Sequence, residues 1–439
     1  MPAMEIVETA RADAPAQRHL RRNYSLGVAN GALFGFVDAI SAPALVLALF
    51  VAQLGGSNFL IGLLPAIYNG GWFLPQFLIS HRLERLPLKK RPYLTAAVVR
   101  IICWGVIALV TPLIGANNPA LLLTVFFVLY VTYSFAAGFA GNAFMTMVAK
   151  IIPLPRRGSF FGMRDLTGTL MGLPAGYLIA LALSPQSGLA FPYNFGVLFF
   201  ITFVAVVVGL TLFGLVIEPR DVIPDARAVT LREQSHAAQR VWRENETFRR
   251  FLLVRIVLAL ADIATPFYAI YATRQLGAPE SIVGLYIALT TVSALVTNPV
   301  WSWLSDHRGN HLLLLVAATT ALGMPLSAFL FGLGGAQPWL IAPFGLLFVL
   351  YGIGRTAGNI AFPTFLLEIA PAPERALYIG FTNTLLGVAT FIPAVGGILL
   401  DLFGFTLLFV LSFGIGALGL WLARGLREPR RARRAGLHP

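Results

Sequence analysis

The chain has 439 residues, of which 32 are Lys or Arg and 19 are Asp or Glu, so charged residues make up 12% where soluble domains carry about 25%. Hydrophobic residues make up 57%, before the 42 glycines are counted. This excludes a water-soluble fold and a disordered chain, and the single cysteine, Cys103, excludes a disulfide scaffold.

In chain order, residues 1–22 come first as a tail carrying Arg11, Arg18, Arg21 and Arg22 but no apolar stretch, so no cleavable signal is expected and the amino terminus is expected in the cytoplasm. Twelve apolar segments follow, each long enough to cross a hydrocarbon core of about 30 Å as a helix. Spans one to six are predicted over Tyr24–Ala52, Phe59–Ser80, Tyr93–Ile114, Ala120–Ile151, Ser159–Leu183 and Tyr193–Ile217. Spans seven to twelve are predicted over Phe251–Leu276, Ile282–Leu304, Leu312–Leu333, Trp339–Ile369, Ala376–Leu402 and Phe405–Ala423. The runs are continuous rather than alternating, which separates them from barrel strands.

The basic residues set the expected orientation. Apart from Arg100, Arg274 and Arg355, all Lys and Arg sit in or near the even-numbered connections and the two termini, which places both ends in the cytoplasm of a bacterial-type inner membrane. The net charge of +13 is therefore a feature of one membrane face that also favours anionic lipid, and a nucleic-acid partner is not expected.

The chain repeats itself with a period near 220 residues. Glu218-Pro219-Arg220 after span six recurs as Glu428-Pro429-Arg430 after span twelve, and Ala140-Gly141-Asn142 in span four recurs as Ala357-Gly358-Asn359 in span ten. Pro155-Arg156-Arg157 recurs as Pro373-Glu374-Arg375, Pro174 matches Pro393, and Asp38 with Pro43 matches Asp262 with Pro266, one residue out of step. The expected organisation is a bundle over 23–217, a cytoplasmic linker over 218–247 with Thr230 and Glu233 spaced as a capping box, a second bundle over 248–425 and a basic tail over 426–439.

Six spans, a charged linker and six more spans resemble the major facilitator superfamily. Trp303-Leu304-Ser305-Asp306-His307-Arg308-Gly309-Asn310 between spans eight and nine is similar to that family's loop signature, with Asn310 in place of its last Arg, and Leu83-Glu84-Arg85-Leu86-Pro87-Leu88-Lys89-Lys90 is a more degenerate copy. The resemblance implies an all-α integral membrane fold of twelve transmembrane helices in two pseudo-symmetric six-helix bundles. It further implies a cytoplasmic gate in which Asp306, with Arg308, faces Arg156 and Arg157, while Glu84, with Arg85, faces Arg375. In the resembled fold, spans one, four, seven and ten line a central cavity.

An ionisable side chain near the bilayer centre costs about 2.5–3.5 kcal/mol on insertion scales, so each should be paired or face water. Asp38, Asp262 and Arg355 lie mid-span. A carboxylate that alternately meets water and oil can bind a proton on one side and release it on the other, which makes Asp38 and Asp262 candidates for proton coupling. Either could instead neutralise Arg355 as a fixed pair, and Arg355 could hold an anionic substrate group. Asn142 and Asn359 are read as cavity hydrogen-bonding groups or as bridges between helices. Arg100 is expected to snorkel to the cytoplasmic face, and Arg164, Asp165 and Arg255 to organise the gate near the inner boundary. Gly27, Gly31 and Gly35 form a close-packing face in span one. Gly168, Gly172, Pro174 and Gly176 in span five, with Pro393, Gly396 and Gly397 in span eleven, loosely resemble the Gly-Pro motif of proton-driven antiporters in this superfamily, or allow bending and close packing.

His307 and His311 beside Asp306 lack the helical continuity a metal site needs, no phosphate-binding Gly-Lys-Ser/Thr loop is present, and no catalytic constellation emerges. The expectation is a monomeric secondary transporter without metal or cofactor, not an enzyme. It would move a small organic solute together with protons by alternating access, with efflux of amphiphilic compounds favoured over uptake of an organic solute or anion. A transport-inactive sensor or scaffold is the alternative of another class.

Overall fold

The computed structural model describes residues 18–84, 86–220, 239–371 and 374–429. Among these, all regular structure is helical, the arrangement that lets each apolar run satisfy its own backbone groups. Ten stretches are long and apolar enough to cross a bilayer. The longest, Leu377–Arg424, is two spans joined where Gly404 takes a φ of 78°, and the helix Asn58–Glu84 supplies span two. The chain therefore has the twelve-span all-α fold expected from its sequence. Thr230 and Glu233, Arg85, Pro373 and both tails beyond residues 18 and 429 lie outside the described residues.

Several helices run past the apolar stretch that announces them, because backbone hydrogen bonding does not stop at the edge of the oil. Span three is Lys90–Ile114, span four Pro119–Ile151, span eight Ile282–Arg308 and span nine His311–Leu333, whereas span six, Tyr193–Gly214, stops short of the predicted Ile217. Others are interrupted by proline, whose ring nitrogen cannot donate to the carbonyl four residues earlier. Span five breaks into Leu154–Leu170 and Gly172–Ala182, ending at the carbonyl Pro174 would have bonded. Span eleven breaks likewise, Arg375–Ala389 ending four residues before Pro393. Span one is Leu20–Ile40, a π turn Pro43–Leu47 and Ala48–Gln53. Span seven is Glu246–Ala261, a 3-10 turn Asp262–Phe267 and Tyr268–Arg274, and span ten is Pro338–Phe344 and Leu346–Ile369.

The chain forms two compact units. The first holds residues as far as Ala42, Gly70–Leu178 and the chain from Pro185 into the linker; the second holds Pro43–Asn69, Ile179–Ser184 and the remainder. In the first, span one packs on spans five and six, and span three on spans four and six; in the second, span seven packs on spans eleven and twelve, and span nine on spans ten and twelve. The duplication seen in the sequence is thus a duplication of packing partners.

The glycine face of span one receives span five. Gly27 meets the Phe160 ring, Gly31 the stem of Arg164, and Gly35 the backbone of Gly168, so a Cβ at Gly35 would overlap the Gly168 carbonyl. Gly35→Val is expected to lower the thermal midpoint of the detergent-purified protein by the cost of overpacking, about 1–3 kcal/mol or more. Gly162→Ala, where a Cβ meets nothing within 4 Å, should leave it unchanged or raised.

Candidate functional site

In the first unit, Asp38 stands in the last turn of Leu20–Ile40, exposed between the buried Val37 and Ile40. The helix is interrupted just beyond it. Ser41 closes the end by donating from its N–H and its hydroxyl to the Val37 carbonyl, at 3.0 and 2.6 Å, and the π turn begins at Pro43. Asp38 acts electrostatically on two arginines, Arg100 and Arg164, and on the Tyr130 hydroxyl.

Arg100 does not snorkel. It is buried, donates to the Tyr133 hydroxyl at 3.0 Å, and lies 4.6 Å from the Phe34 ring and 4.9 Å from the Tyr133 ring. Two aromatic faces and an acceptor inside the bundle hold the guanidinium better than a stretched path to the interface. Arg164 is half-buried and turned into the same unit. Its Nη1 donates to the Gly27 carbonyl at 2.8 Å and to Asn30 Oδ1 at 2.7 Å, and its guanidinium lies 4.6 Å from the Phe144 ring. Asn30, which sequence reasoning passed over, completes the joint by donating to the Gly209 carbonyl of span six at 2.7 Å. A buried asparagine inside the Gly27–Gly35 stripe was the available signal.

The second unit repeats this pattern in altered form. Asp262 ends Glu246–Ala261 and opens the 3-10 turn, because Pro266 cannot bond its carbonyl. Its side chain is exposed while Ile263, Ala264, Pro266 and Phe267 are buried. Asp262 is hydrogen-bonded to Thr265, and the arginine that acts on it is Arg255, two helical turns earlier on the same span. Arg255 also lies 4.0 Å from the Phe362 ring of span ten. The two copies differ in the turn at the break: a π turn begins at Pro43, whereas a 3-10 turn contains both Asp262 and Pro266.

Arg355 and Asn359 lie one turn apart on an exposed face of span ten, and Asn142 is half-buried on span four. Thr356 between the first two turns away to meet Thr297 of span eight, hydroxyl to hydroxyl at 3.1 Å.

At the end carrying the even-numbered loops, Asp306 and Arg308 are exposed on the last turn of span eight, as are Arg156 and Arg375 at the starts of spans five and eleven. Arg157 is committed elsewhere, donating to the Ile152 and Ala149 carbonyls that end span four. Glu84 closes the span-two helix, and its side chain lies outside the described residues. His307 meets its own helix at the Trp303 carbonyl and His311 meets the Ala423 carbonyl, so the two rings are engaged separately.

The repeated Glu-Pro-Arg triplets carry more than a mark of duplication. Glu218 accepts from the backbone N–H groups of Lys89 and Lys90 at 2.9 and 2.8 Å, capping span three, and pairs with Lys150 at 2.7 Å. Glu428 accepts from the His311 N–H at 2.9 Å, capping span nine, and packs against Gly309, while Asn310 donates to Glu368 at 3.0 Å. A carboxylate at a helix amino end satisfies orphan donors and the positive end of the dipole.

At the opposite end, the second unit gathers pieces of both sequence repeats. Gln53 donates to Glu280, Asn58 donates to Asp401 at 2.6 Å, and Gly397 and Gly62 lie against the backbone of Asn58 and Pro393. Gly396 packs on Ile263. The small residues of span eleven therefore serve close approach. Placing cysteines at both Asn58 and Asp401, with Cys103→Ser to remove the native thiol, is expected to give a disulfide under mild oxidant that stops transport until reduced, read by gel mobility and solute flux.

The Major Facilitator Superfamily family model matches residues 28–392 and 251–439. No curated protein is a significant match to the sequence. Among solved structures, a mutant of the nucleoside transporter NupG is similar at a TM-score of 0.67 and 15% identity, over 92% of this chain and 98% of that one. A D-xylose-proton symporter is similar at 0.66 and 17%, over 94% and 99%. A bacterial homologue of the iron transporter ferroportin in an inward-facing state is similar at 0.62 and 14%, over 93% and 99%. At these identities the likeness is one of fold.

Proposed function

The chain belongs to the major facilitator superfamily, a family of transporters rather than enzymes, and on that premise we propose that it couples solute movement to protons through Asp38 and Asp262. One observation carries the reading: each unit presents an exposed aspartate at a proline-interrupted turn of its first span, with arginine of its own unit acting on it. A carboxylate so placed can exchange its arginine for a proton as access to water changes. The exposed Arg355 and Asn359 face is assigned to the solute, with Asn142. Asp306, Arg308, Arg156 and Arg375 are assigned to the cytoplasmic gate.

The solute is a small organic molecule, and the direction favoured is export of amphiphilic compounds in exchange for protons. The aromatic-rich composition, with 34 Phe, 12 Tyr and 7 Trp, supports an amphiphilic solute. The crowding of Lys and Arg into the even-numbered loops supports both termini lying in the cytoplasm, and a monomer in a bacterial-type inner membrane is part of the same proposal. The test is flux in proteoliposomes. An imposed pH difference should drive uphill movement of a transported dye or drug. Movement that ignores the gradient removes the proton, and absence of any flux across a broad panel of solutes favours a sensor or scaffold.

A further inference from the structure

We propose that the first unit holds an anionic phospholipid in a lateral groove between spans one, five and six, with one acyl chain in the groove and the phosphate on Arg22. The groove has a volume of about 540 Å³, within the range of small-molecule sites, and its lining is apolar. Leu33 and Phe36 form its floor, Met171 and Pro174 one wall at the break in span five, and Phe200 and Val204 the other. Phe200 and Val204 are exposed, so the groove opens on the outer surface of the unit.

Position and charge select the occupant. Leu33 and Arg22 are eleven residues apart on Leu20–Ile40, three turns, and so share one helix face. At 1.5 Å per residue the separation is about 16 Å, half of a hydrocarbon core of about 30 Å. The groove is therefore at mid-bilayer when Arg22 is at the interface, which is the span from a phospholipid phosphate to the end of its tail. Span six continues the same path. Val208 of the groove and Leu215 are two turns apart, both exposed, and Arg22 Nη2 donates to the Leu215 carbonyl at 3.1 Å.

That bond occupies one of the five guanidinium N–H groups and leaves a fork of donors for a phosphate. Arg18 and Arg21 beside it are exposed as well. Glu218, the carboxylate at this end of span six, is buried and committed to Lys150 and the start of span three, so it does not oppose an anion.

The experiment is native mass spectrometry of the full chain released from mixed micelles of phosphatidylglycerol and phosphatidylcholine with matched acyl chains. The wild type should retain phosphatidylglycerol about fivefold over phosphatidylcholine, the effect of one basic residue at a membrane surface. Arg22→Gln should bring the ratio to parity, Arg22→Lys should keep most of it, and Val204→Trp, which fills the groove, should release both lipids. Equal retention in the wild type, or a preference that survives either Arg22→Gln or Val204→Trp, overturns the site and leaves ordinary boundary lipid. Should Arg22→Gln fail to fold, the wild type at high salt gives the same decision, since the preference must then fall while retention of phosphatidylcholine stays.

Discussion

Asp262→Asn is expected to abolish uphill transport while leaving solute exchange intact. With one proton per solute, a pH difference of one unit supports about a tenfold concentration ratio, and the variant should fall to a ratio of one. Asparagine keeps the size of the side chain and its ability to accept from Thr265, so the 3-10 turn at Pro266 should persist; what is lost is the group that can carry a proton beside Arg255. Counterflow of labelled against unlabelled solute then tests whether the pathway still works. Uphill transport at the wild-type ratio would make Asp262 a structural partner of Arg255 and nothing more. Asp38→Asn is a harsher change, because Asp38 acts on both Arg100 and Arg164, and its removal should also reduce the yield of folded protein.

What could be foreseen from sequence, and what could not, divides along a physical line. Spans, repeats and the Gly27–Gly31–Gly35 face are properties of one helix, readable from hydropathy and spacing; the structure puts Phe160, Arg164 and Gly168 into that face. The partners of the buried charges depend on how separate helices are rotated against each other, which no single-helix period records. Arg100 finds Tyr133 on the next span, thirty-three residues away, whereas its place in the sequence records only its distance from the end of its own span, which suggests snorkelling. Arg255 and Asp262, seven residues apart, share one helix face, a relation that spacing alone does record. The two Glu-Pro-Arg triplets were visible as a repeat, but their task as caps for spans three and nine appears only when the ends of spans six and twelve are placed beside those helices.

Those two caps give the other large effect. Glu218→Gln is expected to cost about 3–5 kcal/mol, the usual loss when one partner of a buried ion pair is removed. The Glu218 side chain is 1% exposed and that of Lys150 9%, so the lysine would keep its charge with little water to solvate it, and the new amide would point a donor at donors. Glu428→Gln is expected to cost less than about 1 kcal/mol. The carbonyl oxygen of a glutamine can still accept from the His311 N–H, and among the described residues no lysine is paired with Glu428 as Lys150 is with Glu218; the neighbouring Asn310 is bonded to a second carboxylate, Glu368. Melting midpoints of the two variants in one detergent should therefore fall by clearly different amounts. Equal losses would mean that capping the amino end of a neighbouring helix, common to both sites, is the dominant contribution, and that the ion pair with Lys150 adds little.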